Sequence, residues 1–380
     1  RILTQNRKNP EMTVPISFLA LFGAGMLVLS CDLNLNSTQN GVITPHYADN
    51  VTVVSGEITS STTWLEGRVY YLDDPVYVSN GATLTIEPGT IVKFSADAHL
   101  HIENGATIVA NGTASKPIYF TSIRDNIGGD SITNDDPTGP AMGDWKQVWI
   151  IVGSNSNQLS YCHFRYGGKE NVSVLHVDGK GSIDHCFVYY NLGRDDPWND
   201  DTGAALTITD TSHGVTLTNT VFYENRWPLS MAANMNLDNS NSFSYDADNN
   251  PATPALTNYF QGIHLIDGEI TGTTSWNETE VPYCLFNNLV YINNGASLSI
   301  ATAGAVKSSG SGAGFFIESG GTFNNTSSTR FTSYRDDTVI GDTNRDGSVT
   351  QPTTGDWYGI RDFTANAYRT GANITYAANN

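Results

Sequence analysis

Asn80-Gly81-Ala82-Thr83 returns twenty-four residues later as Asn104-Gly105-Ala106-Thr107, and this short period restricts the fold more than any other feature of the chain. At the same shift Val78 maps to Ile102, Leu84 to Ile108, Leu159 to Ile183, Cys162 to Cys186 and Phe164 to Val188. The segments are short, alternate apolar with polar, and are punctuated by Gly and Asn. Alternation puts one row of side chains inward and the next outward. A period in the low twenties, with about three such strands per turn, suits a solenoid whose coils stack about 4.8 Å apart. Burying each inward Val, Ile or Leu contributes roughly 1.5–3 kcal/mol, so a column of them can offset the cost of ordering the chain.

The register survives an insertion. Leu217-Thr218-Asn219-Thr220-Val221-Phe222 matches Ile183-Asp184-His185-Cys186-Phe187-Val188 once the polar run Gly193–Asp201 is set aside. Tyr189 then maps to Tyr223 and Asn191 to Asn225, which predicts asparagines bonded from coil to coil. A longer repeat, near 212 residues, encloses the short one. Gly56-Glu57-Ile58-Thr59 returns as Gly268-Glu269-Ile270-Thr271, Trp64 as Trp276, Phe120-Thr121-Ser122 as Phe331-Thr332-Ser333, and Gly143-Asp144-Trp145 as Gly355-Asp356-Trp357. Two tandem units follow, 51–262 and 263–380, the second reading as incomplete. Ala303-Gly304 stand where the first unit has Pro88-Gly89-Thr90, which predicts a looser turn.

Composition agrees with an all-β chain. Charged residues make up 15% and there are 36 glycines, a poor basis for long amphipathic helices. The formal charge of −19 repels phosphate backbones and excludes a nucleic-acid partner. Divalent cations and neutral glycans remain open.

Residues 1–31 read as an export signal. Arg7 and Lys8 precede the apolar run 15–30, too short for a comfortable membrane span. The run ends in Val28-Leu29-Ser30-Cys31, which resembles a bacterial lipobox. The resemblance implies lipid on Cys31 and a cell-envelope location, membrane-anchored. Residues 32–50 are polar, as a tether should be. Only Cys162, Cys186 and Cys284 remain, so the fold rests on its core rather than on a disulfide framework. Cys162 and Cys186 share a column and read as buried thiols in preference to a disulfide.

The runs Asn80–Phe94 and Asn104–Thr113, with Lys116–Ser122 and Gly143-Asp144-Trp145, resemble bacterial right-handed parallel β-helix surface and secreted proteins. The resemblance implies that architecture for most of 51–380. It implies little about activity, because scaffolds, adhesin-like proteins and polysaccharide lyases share these coils.

Two motifs carry candidate chemistry. Asp342, Asn344, Asp346 and Ser348 alternate as oxygen donors, with Gly347 for the bend, and resemble the first half of a calcium loop. The acid expected at loop position twelve is replaced by Thr353, so Asp336, Asp337 or Asp356 would have to fold back to supply it. The first-unit counterpart, 130–135, has Ile132 at a ligand position and reads as degenerate. The second motif is the acidic loop Asp195, Asp196, Asp200 and Asp201 around Trp198, a candidate glycan-binding surface. Arg165, Lys169, Arg194 and Arg226 are the basic residues a lyase would draw on. Arg124-Asp125 and Arg335-Asp336 recur in both units and predict an ion pair at a loop base. No histidine column is expected. Together these features predict a non-enzymatic envelope lipoprotein, scaffold, adhesin-like or glycan-binding, with structural calcium and a polysaccharide or surface protein as partner. The alternative is a polysaccharide lyase or glycoside hydrolase with its groove near 193–201.

Overall fold

The computed structural model describes residues 38–39, 42–43, 50–128, 138–154, 156–193, 203–209, 212, 214–248, 253–325 and 327–379. Cys31, the degenerate loop 130–135, Arg194 and the run 195–201 lie outside them. The chain divides into a stretch 1–46 and a body 47–380. In the first, Thr38–Gln39 pairs antiparallel with Val42–Ile43.

The body is a right-handed parallel β-helix. Each coil contributes three short strands, and like strands from successive coils pair in parallel. The first face runs from Ile91–Phe94 to Ile118–Ser122, Cys162–Arg165, Phe187–Tyr189 and Val221–Tyr223. The second runs from Leu100–Ile102 through Val148–Ile150, Leu175–Val177 and Leu206–Ile208 to Leu229–Ala232. The third joins Thr62–Trp64, Thr83–Ile86, Thr107–Asn111, Asn157–Ser160, Gly181–Asp184 and Val215–Thr218 in one six-stranded sheet.

The twenty-four-residue register is that of the strands. Leu84 pairs with Ile108, Val78 with Ile102, Leu159 with Ile183 and Ile183 with Leu217. Their side chains point inward and are buried in one continuous core. The asparagine ladder also forms: Asn191 donates from Nδ2 to Asn225 Oδ1 (3.0 Å), and Asn225 to Asn258 Oδ1 (2.9 Å). Asn258 extends the ladder by a rung. Cys162 and Cys186 are free and wholly buried on neighbouring coils.

The two repeats do not stack face on like face. Ile263–Asp267 corresponds by sequence to Val51–Val54 of the first face, yet it pairs with Leu229–Ala232 of the second. Tyr283, Val306 and Phe331 continue that column. The third-face sheet is interrupted, and a single bridge from Leu237 to Trp276 spans the gap. The first strands of the second repeat therefore stand on the second-face column, whereas Trp276, like Trp64, keeps to the third face.

Long excursions leave the coils between the first and second faces, and each is fastened by the motifs of the long repeat. Asp144 accepts from Ser122 Oγ (2.7 Å) and Ala141 N (3.0 Å) and pairs with Arg124 (3.1 Å). Asp356 does the same with Ser333 (2.6 Å), Thr353 N (2.9 Å) and Arg335 (3.2 Å). Trp145 then fills the core, stacked on Phe94 at 4.0 Å. The expected pairing of Arg124 with Asp125, and of Arg335 with Asp336, is corrected: each arginine reaches across the excursion to the Asp of Gly-Asp-Trp. Adjacent side chains at the loop base diverge, whereas the two ends of the loop meet.

The turn at Ala303 also departs from expectation. It is not looser, since Gly304 N bonds Ala301 O at 3.1 Å, as Thr90 N bonds Glu87 O at 3.2 Å. Instead Ala303 holds φ 67 where Gly89 holds φ 80. The turn is kept, and the cost is backbone strain.

Candidate functional site

Five chain segments converge on a half-open cleft of about 220 Å³. Met142 comes from the first excursion, Leu192 from the segment that precedes the acidic loop, and Glu224, Asn225 and Arg226 from a short turn. Thr257 and Tyr259 come from the segment before Ile263, and Arg345 from the second excursion. The rung Asn225–Asn258 fixes the floor, because it ties the backbone of both turns. Tyr259 is 39% exposed. The Arg226 guanidinium lies 4.0 Å from the centre of its ring and that of Arg345 5.0 Å, both within cation–π range. Arg345 is also anchored by a bond from Nη2 to Asn258 O (3.3 Å). An aromatic face beside guanidinium donors offers a sugar both a stacking surface and hydroxyl partners.

The second excursion reaches this cleft because its base is packed. Tyr334 meets Phe286 edge-on at 4.7 Å in a satellite cluster with Ala204, Trp227 and Cys284. Lys307, fully buried on the outer side of its strand, donates to Gly341 O (2.7 Å) and Thr343 Oγ1 (2.8 Å).

At the tip, the carboxylates of Asp337, Asp342 and Asp346 offer ligand oxygens all within 4.8 Å of one another. Asp337 thus folds back into the position that the linear motif leaves open. Asp336 does not, being bound to Thr332 (2.6 Å) and Thr338, and Asp356 is held in the clasp. Asp342 accepts from Gly347 N (2.9 Å), and Asp346 Oδ1 from Ser348 N (3.0 Å) and Val349 N (3.0 Å). Asn344 turns its Nδ2 toward Asp346 (2.9 Å). Gly347 takes φ 62, the bend expected of it. One oxygen of Asp337, Oδ1, is buried without a hydrogen-bond partner. Burial, followed by the neighbouring charges of Asp342 and Asp346, raises the Asp337 carboxyl above its usual range.

The basic candidates separate. Arg226 lines the cleft. Arg165 does not; it is pinned beneath the first excursion by Asp125 (2.5 Å) and Tyr189 (2.9 Å), ringed by Tyr119 and Tyr166. Lys169 pairs with Asp97 (2.6 Å).

An outward row that sequence reasoning missed runs along the second face. Tyr77, His101, Trp149 and His176 stand on successive coils, with His99 4.3 Å from His101. Asp178 takes the Trp149 indole N–H (2.6 Å) and pairs with His176 (2.8 Å). Burial, then the neighbouring His99, depresses His101 to about 4. The expectation of no histidine column therefore fails for this face. The signal was present, since Tyr77 and His101 are twenty-four apart.

Residues 56–171 match the family model described as a pectate-lyase-like beta helix domain. That match falls on the first coils and agrees with the parallel β-helix described above. No curated protein and no solved structure matches the chain.

Proposed function

We propose that this β-helix is a non-catalytic glycan-binding module of the cell envelope, anchored by lipid on Cys31. The observation that supports the reading is the cleft, where the exposed Tyr259 ring packs against Arg226 and Arg345 at the meeting point of separate excursions. Its volume suits a single sugar unit of a chain that continues over the open rim. The likeness of 56–171 to a pectate-lyase-like domain is compatible with binding and with cleavage alike. The second reading, a carbohydrate-active enzyme, is favoured by the presence of Arg226 beside the segment that leads into the acidic loop.

A calcium ion at Asp337, Asp342 and Asp346 belongs to the same proposal. Three carboxylates, one with a buried oxygen lacking a donor, suit a hard cation that prefers oxygen ligands. Bound there, the ion neutralises like charges and holds the tip, so that Arg345 stays in the cleft.

Residues 32–380, titrated with neutral and acidic polysaccharides with and without chelator, test both parts. Saturable binding that falls about tenfold in Tyr259→Ala, with no shortening of the polymer, is the expected result. New chain ends lost in Arg226→Ala would establish the enzyme instead, and no binding to any polymer would end the glycan reading. Calcium at a hundred times its dissociation constant should add about 2.7 kcal/mol to thermal stability, a gain absent in Asp337→Asn.

A further inference from the structure

The corner between Trp276 and Tyr283 joins the two repeats. Asn277 N donates to Leu237 O (2.8 Å), and Thr279 N to Asn239 Oδ1 (3.0 Å). The Glu280 carboxylate accepts from Ser242 Oγ (3.1 Å), Phe243 N (3.0 Å) and Ser244 Oγ (2.5 Å). The corner is thus a strap over the last coil of the first repeat, where the first-face column ends.

Glu278 sits inside that strap and is fully buried. Its Oε1 accepts from Thr279 N (2.7 Å) and Glu280 N (2.6 Å), and its own N–H donates to Tyr283 Oη (3.0 Å). Its Oε2 is buried and has no hydrogen-bond partner. The charged groups that face it are Glu280 on the strap and Asp238 on the first repeat, both acidic; the titratable group on the following strand is the Tyr283 phenol. Among the described residues no cation pairs with it. Its counterpart Glu66 is half-exposed and pairs with Lys116 at 2.5 Å. The second repeat's turn from Thr322 to Phe331 is four residues shorter than that from Thr107 to Phe120, and it holds no lysine.

We propose that Glu278 is a proton-operated catch between the two repeats: protonated, it lets the strap close over the first repeat, and ionised, it loosens the strap. A carboxylate in this place has lost water from one oxygen and gained no donor in return, whereas the neutral acid carries no charge to desolvate. Burial pushes the carboxyl from its ordinary 4.5 up to about 7, with Glu280 and Asp238 adding to the effect. The folded value lies above the unfolded one. The stabilisation is therefore complete below about pH 4.5 and is lost as pH rises through about 7. The full span corresponds to roughly two orders of magnitude in the closing equilibrium.

Two measurements on the whole chain decide the matter. The Glu278 carboxyl carbon should titrate with a midpoint near 7 by NMR. Protection of the Phe243 and Thr279 amides against hydrogen exchange, corrected for intrinsic rate, should fall about 10- to 100-fold from pH 5 to pH 8. In Glu278→Gln that fall should vanish. A midpoint near 4.5, or an equal loss of protection in Glu278→Gln, overturns the proposal. If the variant does not fold, the wild-type titration decides alone.

Discussion

The same clasp is built twice in this molecule, with different electrostatics. Beneath the first excursion, buried Lys93 donates to Asp125 O (2.6 Å), and the Asp125 carboxylate bonds Thr121 and pairs with Arg165. Beneath the second, Lys307 and Asp336 occupy the equivalent places, but the position of Arg165 is taken by Thr375. Its hydroxyl meets Thr332 at 3.0 Å, and Trp357 Nε1 bonds Thr375 O as Trp145 Nε1 bonds Arg165 O. The strap corner diverges in the same direction. Glu66 keeps Lys116 and bonds its own N–H to Glu87 (2.9 Å), whereas Glu278 has lost both partners, Ala301 replacing Glu87. The first copy balances its buried and half-buried charges locally. The second gathers uncompensated carboxylates, at Glu278 and at Asp337, and so is the half on which the proposed proton catch and calcium site both fall.

That contrast can be broken most forcefully at the clasp. Asp125→Ala leaves Arg165 enclosed without its counter-ion and should cost about 3–5 kcal/mol in denaturant unfolding. Asp336→Ala orphans the Thr332 and Thr338 hydroxyls, which can rotate, and the Thr338 N–H, and should cost about 1–3 kcal/mol. Equal losses would mean that the two clasps are energetically alike. The turn offers a smaller test with opposite signs. Ala303→Gly should raise stability by roughly 0.5–1 kcal/mol, since φ 67 strains any L residue. Gly89→Ala should lower it by about 1 kcal/mol, because space is ordinary there (Lys116 Cβ at 3.6 Å) and only φ objects. Smallest of all, Arg124→Ala and Arg335→Ala remove pairs whose arginines are 42% and 44% exposed and should change stability by about 1 kcal/mol or less.

Much of the architecture could be read from residues because stacking writes itself into a fixed shift. Leu84 over Ile108 and Asn191 over Asn225 follow from spacing alone. The row Tyr77–His101 obeys the same arithmetic, but it sets a histidine over a tyrosine, so no residue type repeats to mark it. Other features depend on where a loop returns. The role of Asp144 and Asp356 was hidden because their partners lie some twenty residues back. Asp337 completes the acidic triad only through a reversal that no linear motif encodes. The move of Ile263–Asp267 to the second-face column was invisible for a different reason: a repeat states which residues correspond, not which column they land on. Of the cleft, Arg226 was named in advance among the basic candidates and Asn225 as a rung of the ladder. Tyr259 and Arg345 carried no periodic signal.

That change of column has a consequence for where a surface forms. The stacked tyrosines Tyr189, Tyr223 and Tyr245 top a first-face column that Ile263–Asp267 does not continue. The excursion of the second repeat brings Arg345 to a wall built by the first. A surface shared between the two repeats, present in neither alone, follows from the way one prism is set upon the other.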